Sequence, residues 1–227
     1  FGVITFPGSN CDKDMVYVLR EKMGLEVEEL WHKDHDLKGC DAIVLPGGFS
    51  YGDYLRSGAI AKFSPVMKEV IQHADKGGHV LGVCNGFQIL CESGLLDGAL
   101  LHNNNQKFIC KNTYLKPISK TASITKDLDF DKTYKIPIAH GEGRFFANED
   151  TIKSLEDNDQ ILFKYCDENG EINPDSNPNG SLLNIAGISN KGKNVFGMMP
   201  HPERAADQEL SNIDGQKIFE SWLGLIQ

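Results

Sequence analysis

Cys84 is the residue of this sequence best placed to do covalent chemistry. It closes the apolar run Val80-Leu81-Gly82-Val83 and opens the segment Asn85-Gly86-Phe87-Gln88-Ile89-Leu90. A buried strand therefore enters the cysteine and a helix-forming stretch leaves it. Gly82 and Gly86, two residues to either side, suit a strand-to-helix turn so sharp that approaching backbones leave no room for a Cβ. This is the layout of a nucleophile elbow, with sulfur in place of the serine oxygen. The N-terminus of the following helix favours negative charge at the sulfur. A thiol of ordinary acidity is only about 3% thiolate at neutral pH, so the cysteine also needs a base. Without one, Cys84 is a small buried thiol in a glycine-containing turn.

The base is expected from Met198-Met199-Pro200-His201-Pro202-Glu203, which follows a buried strand near the end of the chain. Prolines on both sides of His201 fix its backbone and keep it out of a regular helix. Glu203 can accept the proton of one ring nitrogen while the other faces Cys84, fixing the tautomer and stabilising the imidazolium once the thiol proton has moved. The alternative is a loop histidine beside a solvated glutamate. Leu45-Pro46-Gly47-Gly48-Phe49-Ser50 follows another apolar strand. Its glycines let backbone N–H groups turn towards a bound oxyanion, and the amides of Gly48 and Asn85 are the expected donors. Loss of one such donor typically slows a reaction about 100- to 1000-fold. A plain tight turn would look the same in sequence.

The elements that must position these residues alternate along the first half. Strands are expected at 1–6, 25–31, 42–45 and 79–83, and helices at 12–23, 63–76 and after Cys84. Strands separated by helices of this length imply a mainly parallel, twisted sheet with helices on both faces. In such α/β sheets the ligand site lies beyond the carboxyl ends of the strands, where the Pro46 and Cys84 turns both fall. The second half is less regular. Strands are expected at 108–118, 121–125, 134–139, 160–165, 182–189 and 195–199, a surface loop at 167–180 and a closing helix at 216–225. No internal repeat is visible, and 227 residues suit a single domain over 1–227.

Composition narrows the function. The chain is 40% hydrophobic and 24% charged, with a formal charge of -9, which argues against the clustered basic footprint of a nucleic-acid-binding surface. No apolar run approaches the ~18 residues of a membrane-spanning helix. Six cysteines without C-x-x-C spacing or a histidine cluster give no sign of a zinc site or a disulfide framework. No stretch reads as a secretory leader, and a reducing, cytoplasmic setting is expected. The strand-like run at Phe1 lacks a methionine, which points to a terminus upstream.

Gly82-Val83-Cys84-Asn85-Gly86-Phe87-Gln88, Pro46-Gly47-Gly48 and His201-Pro202-Glu203 together resemble the class I (triad) glutamine amidotransferases, a flavodoxin-like family. The resemblance runs along nearly the whole chain. It implies that Cys84 attacks the side-chain amide carbon of glutamine, that His201 protonates leaving ammonia, and that water hydrolyses the glutamyl thioester. Gln88, with Gly47 and Phe49, matches substrate-binding positions. Phe6-Pro7-Gly8-Ser9-Asn10-Cys11-Asp12, the run from Gly47 to Arg56 and His140-Gly141-Glu142-Gly143-Arg144 are similar to the glutaminase component of phosphoribosylformylglycinamidine synthases. Asn103 to Cys110 resembles a further segment of that family but departs from it at Asn105 and Gln106.

The resemblance implies two partners, a synthetase subunit and a small bridging subunit, with ammonia passed to the synthetase to convert formylglycinamide ribonucleotide to the amidine in purine biosynthesis. ATP and magnesium would sit on the synthetase. This chain has no G-x-x-x-x-G-K-[ST] loop, and no cofactor or metal is expected in it. Asp53, Arg56, His140 and Arg144 are candidates for docking or substrate contact, the alternative being a surface ion pair between Asp53 and Arg144 worth under about 1 kcal/mol. Two other functions remain open at this point. A cysteine hydrolase or redox protein of the DJ-1/PfpI type shares the elbow but often has His where Asn85 stands, and leaves His201-Pro202-Glu203 unexplained. A regulatory subunit that binds glutamine without turnover would not need the full nucleophile, base and acid.

Overall fold

Val3, Ile4, Ile43, Val44, Val80 and Leu81 have no exposed surface, and the strands that carry them form one half of a nine-stranded sheet. The computed structural model describes residues 1–224. Strands β1 (Gly2–Thr5), β2 (Glu28–Trp31), β3 (Ala42–Leu45) and β4 (His79–Val83) make up this half. The other half contains β6 (Ile109–Pro117), β7 (Tyr134–His140), β9 (Ile161–Cys166), β10 (Ile185–Ser189) and β11 (Val195–Met198). A separate two-stranded sheet pairs β5 (Ala99–Leu101) with β8 (Arg144–Phe146). The large sheet has the order β2-β1-β3-β4-β11-β10-β9-β6-β7.

Strand direction decides where the sheet presents its loops. Pairing is parallel from β2 through β1, β3 and β4 to β11. It is then antiparallel at each step through β10, β9, β6 and β7. Two reversals return β9 to the direction of β4, and two more return β7 to it. Seven of the nine strands therefore point the same way, with only β6 and β10 against them. The carboxyl ends of β1, β3, β4, β7, β9 and β11 all open on one edge.

The helices are α1 (Asp12–Tyr17), continued by a wider turn over Val18–Lys22, α2 (Pro65–Asp75), α3 (Asn85–Glu92), α4 (Ser123–Lys126), α5 (Glu149–Asp157) and α6 (Asp214–Leu223). Helix α2 buries an apolar stripe of Val66, Met67, Val70 and Ala74, whereas α5 buries only Leu155. Among the described residues, no helix is long and apolar enough to cross a membrane.

Three features differ from the sequence expectation. Residues 121–125 are not a strand but lead into α4, because Ser119 folds the chain locally. The Ser119 Oγ accepts from Ala122 N at 3.2 Å, and Thr125 Oγ1 donates to Ser119 O at 2.7 Å. Helix α5 was not expected, although Asn148 caps it by accepting from Thr151 N at 2.8 Å. The closing helix begins at Asp214, two residues early, and the expected Leu225 end lies outside the described residues.

Candidate active site

The turn after β4 is drawn tight by the absence of two side chains. A Cβ on Gly86 would run into the Leu45 carbonyl oxygen, and one on Gly82 would lie 2.6 Å from the Gly86 carbonyl. Glycine at both positions lets α3 start directly against β3 and β4. Cys84 absorbs the reversal with φ 50° and ψ −106°, in the left-handed half of conformational space where side chains other than glycine are strained. Such strain persists only where the surroundings enforce it, and it concentrates at functional positions. The Cys84 N–H donates to Met198 O at 2.8 Å, so the elbow is fastened to the end of β11.

That same strand end delivers the base. His201 N donates to Pro137 O of β7 at 2.8 Å, and His201 Nδ1 donates to Glu203 Oε1 at 2.7 Å. A carboxylate can only accept, so Nδ1 carries a proton and Nε2 is left for another partner. Among the described residues, Nε2 has no hydrogen-bond partner, although His201 is only 1% exposed. Burial alone would strip charge from this imidazole. The Glu203 carboxylate and Cys84 outweigh that, and the His201 pKa stands well above 6.5. The site therefore favours an imidazolium at His201, a positive charge beside the sulfur of the kind that activates a cysteine nucleophile.

Gly47 forms the floor between the two groups. A Cβ there would lie 2.6 Å from His201 Cε1 and 3.3 Å from Cys84 Cβ, so both side chains border a single gap too small for a methyl group. In the structure Cys84 Sγ rests on Ala139 O at 3.6 Å.

The expected oxyanion turn is tied to the elbow through a side chain. Gly48 takes φ +134°, and a Cβ on it would lie 2.6 Å from Asn10 N. Asn85 begins α3, where the first N–H groups have no intrahelical acceptor. Its Oδ1 accepts from Ser50 N at 3.0 Å, while Nδ2 donates to Gln88 Oε1 at 2.9 Å and Asp53 Oδ1 at 3.2 Å. Gln88 Nε2 donates in turn to Glu142 O at 2.5 Å. One amide side chain thus sets the relative position of both candidate oxyanion donors. Gln88, expected to contact substrate, is buried and held in this network. Phe49 is partly exposed and lies 6.3 Å from Phe108, ring centre to ring centre.

The four docking candidates separate. Arg56 is exposed and pairs with Glu92. Asp53 is partly buried beneath its loop, and burial, reinforced by the Glu142 charge, pushes its carboxyl up to about 6 against hydrogen bonds from Ser57 and Asn85. Arg144 does not pair with Asp53; its Nε donates to His102 O at 2.9 Å. His140 differs from the other three in being buried. It is 3% exposed at the end of β7, bonded through Nδ1 to Asn103 Oδ1 at 3.1 Å, with its ring where a Gly143 Cβ would stand. Burial and the charge on His201 push its pKa down to about 4, so it is neutral near the site.

Cys11 is a neighbour that sequence reasoning placed in a motif but gave no role. It ends the turn after β1 and accepts from Arg204 Nη2 at 3.1 Å. Its sulfur would lie 3.2 Å from a Gly47 Cβ, on the same gap as His201 and Cys84. The one available signal was positional, since the turns after β1, β3 and β4 all open on one edge. A cavity of about 560 Å³, lined in part by Asp14, Cys110, Ala139, His201 and Arg204, approaches the imidazole from the β6–β7 side.

The family model for the CobB/CobQ-like glutamine amidotransferase domain matches residues 1–227. The phosphoribosylformylglycinamidine synthase subunit PurQ of Chlorobium chlorochromatii is 56% identical over 220 residues, covering 97% of this chain and 94% of that protein. Its counterpart from Synechocystis is 55% identical over 221 residues, covering 97% and 99%. A chain in the structure of PurLQS from Thermotoga maritima is 39% identical, with a TM-score of 0.85, coverage being 100% of this chain and 98% of that one. The chain belongs to the glutamine amidotransferase family.

Proposed function

We propose that this chain is the glutamine-hydrolysing subunit of a phosphoribosylformylglycinamidine synthase, with Cys84 as nucleophile, His201 as acid and base, and Glu203 as the group that orients and charges His201. The observation that carries the reading is the strained elbow at Cys84 sharing one gap with a buried His201–Glu203 pair at the adjacent strand end. The Cys84 thiolate adds to the side-chain amide carbon of glutamine, and the carbonyl oxygen becomes an oxyanion received by the Gly48 and Asn85 amides. Collapse of this intermediate breaks the carbon–nitrogen bond. His201 gives its Nε2 proton to the departing nitrogen, releasing ammonia and leaving a glutamyl thioester on Cys84. His201 then takes a proton from water, whose oxygen attacks the thioester. Glutamate leaves and the thiolate returns.

Gln88, Gly47 and Phe49 are read as the glutamine-binding wall, and the 49–56 loop as the side facing a synthetase partner. The name of the Thermotoga structure, PurLQS, fits an assembly with a synthetase and a small third subunit. In this reading ammonia is consumed on the synthetase, which carries the ATP and magnesium and converts formylglycinamide ribonucleotide to the amidine in the cytoplasm.

The test is a split of two activities in the reconstituted complex. Cys84→Ser is expected to abolish glutamine-dependent amidine formation while synthesis from added ammonium salt continues. Glutamine-dependent turnover that survives the substitution overturns the reading.

A further inference from the structure

A backbone amide can receive an oxyanion only if its N–H faces the reacting carbon, and at Gly48 that direction is set by the turn after β1. This turn runs antiparallel to the turn after β3. Cys11 N donates to Gly47 O at 3.3 Å and Phe49 N to Gly8 O at 3.1 Å, with Ser9 opposite Gly48 between the two bonds. The N–H groups of such a non-hydrogen-bonded pair point away from each other. The Gly47 carbonyl and the Gly48 N–H also share one trans peptide, in which they point in opposite directions. With the carbonyl on the Cys11 amide, the N–H is turned from the β1 side. The strand order β1-β3-β4 puts Cys84 and Asn85 on the other side.

Arg204 fastens that turn in place. Its Nη2 donates to Cys11 Sγ at 3.1 Å, and its Nε to Asp14 Oδ2, also at 3.1 Å. The Cys11 S–H donates in turn to Asn10 Oδ1 at 3.2 Å. Asn10 packs directly on Gly48, where a Cβ would lie 2.6 Å from Asn10 N and 3.1 Å from that same Oδ1. Arg204 N donates to His201 O at 3.1 Å, closing the turn that carries the base. One residue thus joins the turn of the imidazole to the segment that aims the amide. Cys11 is 2% exposed, and neither it nor Arg204 takes part in the reaction steps.

We propose that Arg204, acting through Cys11, is a positioning residue that keeps the Gly47–Gly48 peptide turned with its N–H toward Cys84. The proposal rests on the catalytic reading above, which supplies the oxyanion. Asn85 holds the same turn from α3, through Ser50 N, and Arg204 holds it from the β1 side. Without the side-chain anchor the Cys11 amide can shift and the Gly47–Gly48 peptide can rotate. The loss then falls on the transition state, where the oxyanion develops, and not on the binding of glutamine.

Three measurements on the assembled complex test this. Arg204→Gln should lower glutamine-dependent kcat about 10- to 100-fold, short of the 100- to 1000-fold typical of a donor lost outright. The KM for glutamine should stay unchanged, as for an interaction made only in the transition state. The γ-aldehyde of glutamate should lose affinity by the same factor as kcat, because its adduct needs the oxyanion site: sulfur bonds the aldehyde carbon and the carbonyl oxygen takes the electron pair. Alkylation of Cys84 by iodoacetamide, which displaces iodide and forms no oxyanion, should keep its wild-type rate. Cys11→Val keeps a buried side chain but neither accepts from Arg204 nor donates to Asn10, and should behave as Arg204→Gln does. Cys11→Ser, which retains a donor and an acceptor, should recover most of the activity. Wild-type aldehyde affinity in both Arg204→Gln and Cys11→Val overturns the proposal. So does alkylation slowed as much as turnover, which would mean a general loosening of the site. Glutamine turnover by Cys84→Ser would overturn the catalytic reading itself, and the positioning role with it.

Discussion

The gap around Gly47 and the loop from Phe49 to Arg56 are neighbours in sequence and opposites in construction. Around the gap, every chemical group is fixed by backbone from another strand: Cys84 by Met198, His201 by Pro137, Cys11 by Gly47. In the loop, Tyr51, Gly52, Asp53 and Leu55 all take positive φ, from 53° to 72°, and Tyr54 and Leu55 are 73% and 94% exposed. The loop is held chiefly by the Tyr51 hydroxyl, which bonds His32 Nδ1 at 2.7 Å and Ser64 Oγ at 2.8 Å, by the Tyr51 N–H to Pro7 O at 2.5 Å, and by Asn85 beneath. Groups that must meet within a fraction of an ångström are set by the sheet. The strained, apolar segment stands outside, where burial against a partner would stabilise it.

The contrast makes its largest prediction at the buried pair. Glu203→Gln keeps the shape of the acid but removes the charge that lifts His201. By analogy with orienting acids in other triads, glutamine-dependent kcat should fall about 10³- to 10⁴-fold. The sign of the pH effect follows. A histidine with a raised folded pKa contributes stability that is full below the unfolded pKa and lost as pH rises through the folded one. With the glutamate gone, the His201 imidazolium should lose its proton at lower pH, so the alkaline limb of residual activity moves down. A profile that keeps its alkaline limb would show that Glu203 does not set the charge on His201.

Gly86→Ala comes next and acts on stability. The added methyl meets the Leu45 carbonyl oxygen, a backbone atom that cannot swing away as a side chain can. Overpacking of this kind costs about 1–3 kcal/mol or more, a fall in Tm of roughly 5–10 °C at the upper end for a chain of this size. Unchanged thermal unfolding would mean that the elbow yields, contrary to the rigid side of the comparison.

How much of this was legible in the sequence depends on how far apart the partners lie. The elbow is local, with strand, cysteine and two glycines within nine residues, and the His201–Glu203 pair is local too. Sheet direction followed from alternating strands and helices in the first half. Cys11 beside His201 was hidden because 190 residues separate them, and only the strand order β1-β3-β4-β11 brings their turns together. His140 read as a charged-loop residue because its glycine-rich surroundings look exposed, yet Asn103 and Gly143 enclose it. Residues 121–125 alternate like a strand, but the Ser119 and Thr125 hydroxyls turn the backbone into α4.

Asp53→Asn probes the seam between the two regions. The Asp53 carboxyl titrates near 6, up from 3.8, so the folded state binds its proton more tightly than the unfolded one. Its ionisation therefore lowers stability as pH rises from about 4 to 6. Because the group is partly exposed, solvent screening reduces the effect to the order of 1 kcal/mol. The variant should gain Tm relative to wild type across that interval and hold the gain above it. A difference independent of pH would show that Asp53 is not desolvated in the loop.

Leu55→Asp should have the smallest effect on the free chain and the most selective one on the assembly. At 94% exposure the side chain has almost no burial to lose, and surface changes of this kind usually stay within about 0.5 kcal/mol. The Tm of the isolated protein should move by no more than about 2 °C. If this loop faces the synthetase, a carboxylate there must be desolvated on docking with no cation provided for it, which is unfavourable. Complex formation by sedimentation should weaken, and glutamine-dependent turnover should fall while ammonia-dependent turnover of the synthetase persists. Unchanged assembly would place the docking face elsewhere. It would also leave the strained loop with a role confined to the glutamine pocket, through the Asn85 bonds to Ser50 and Asp53.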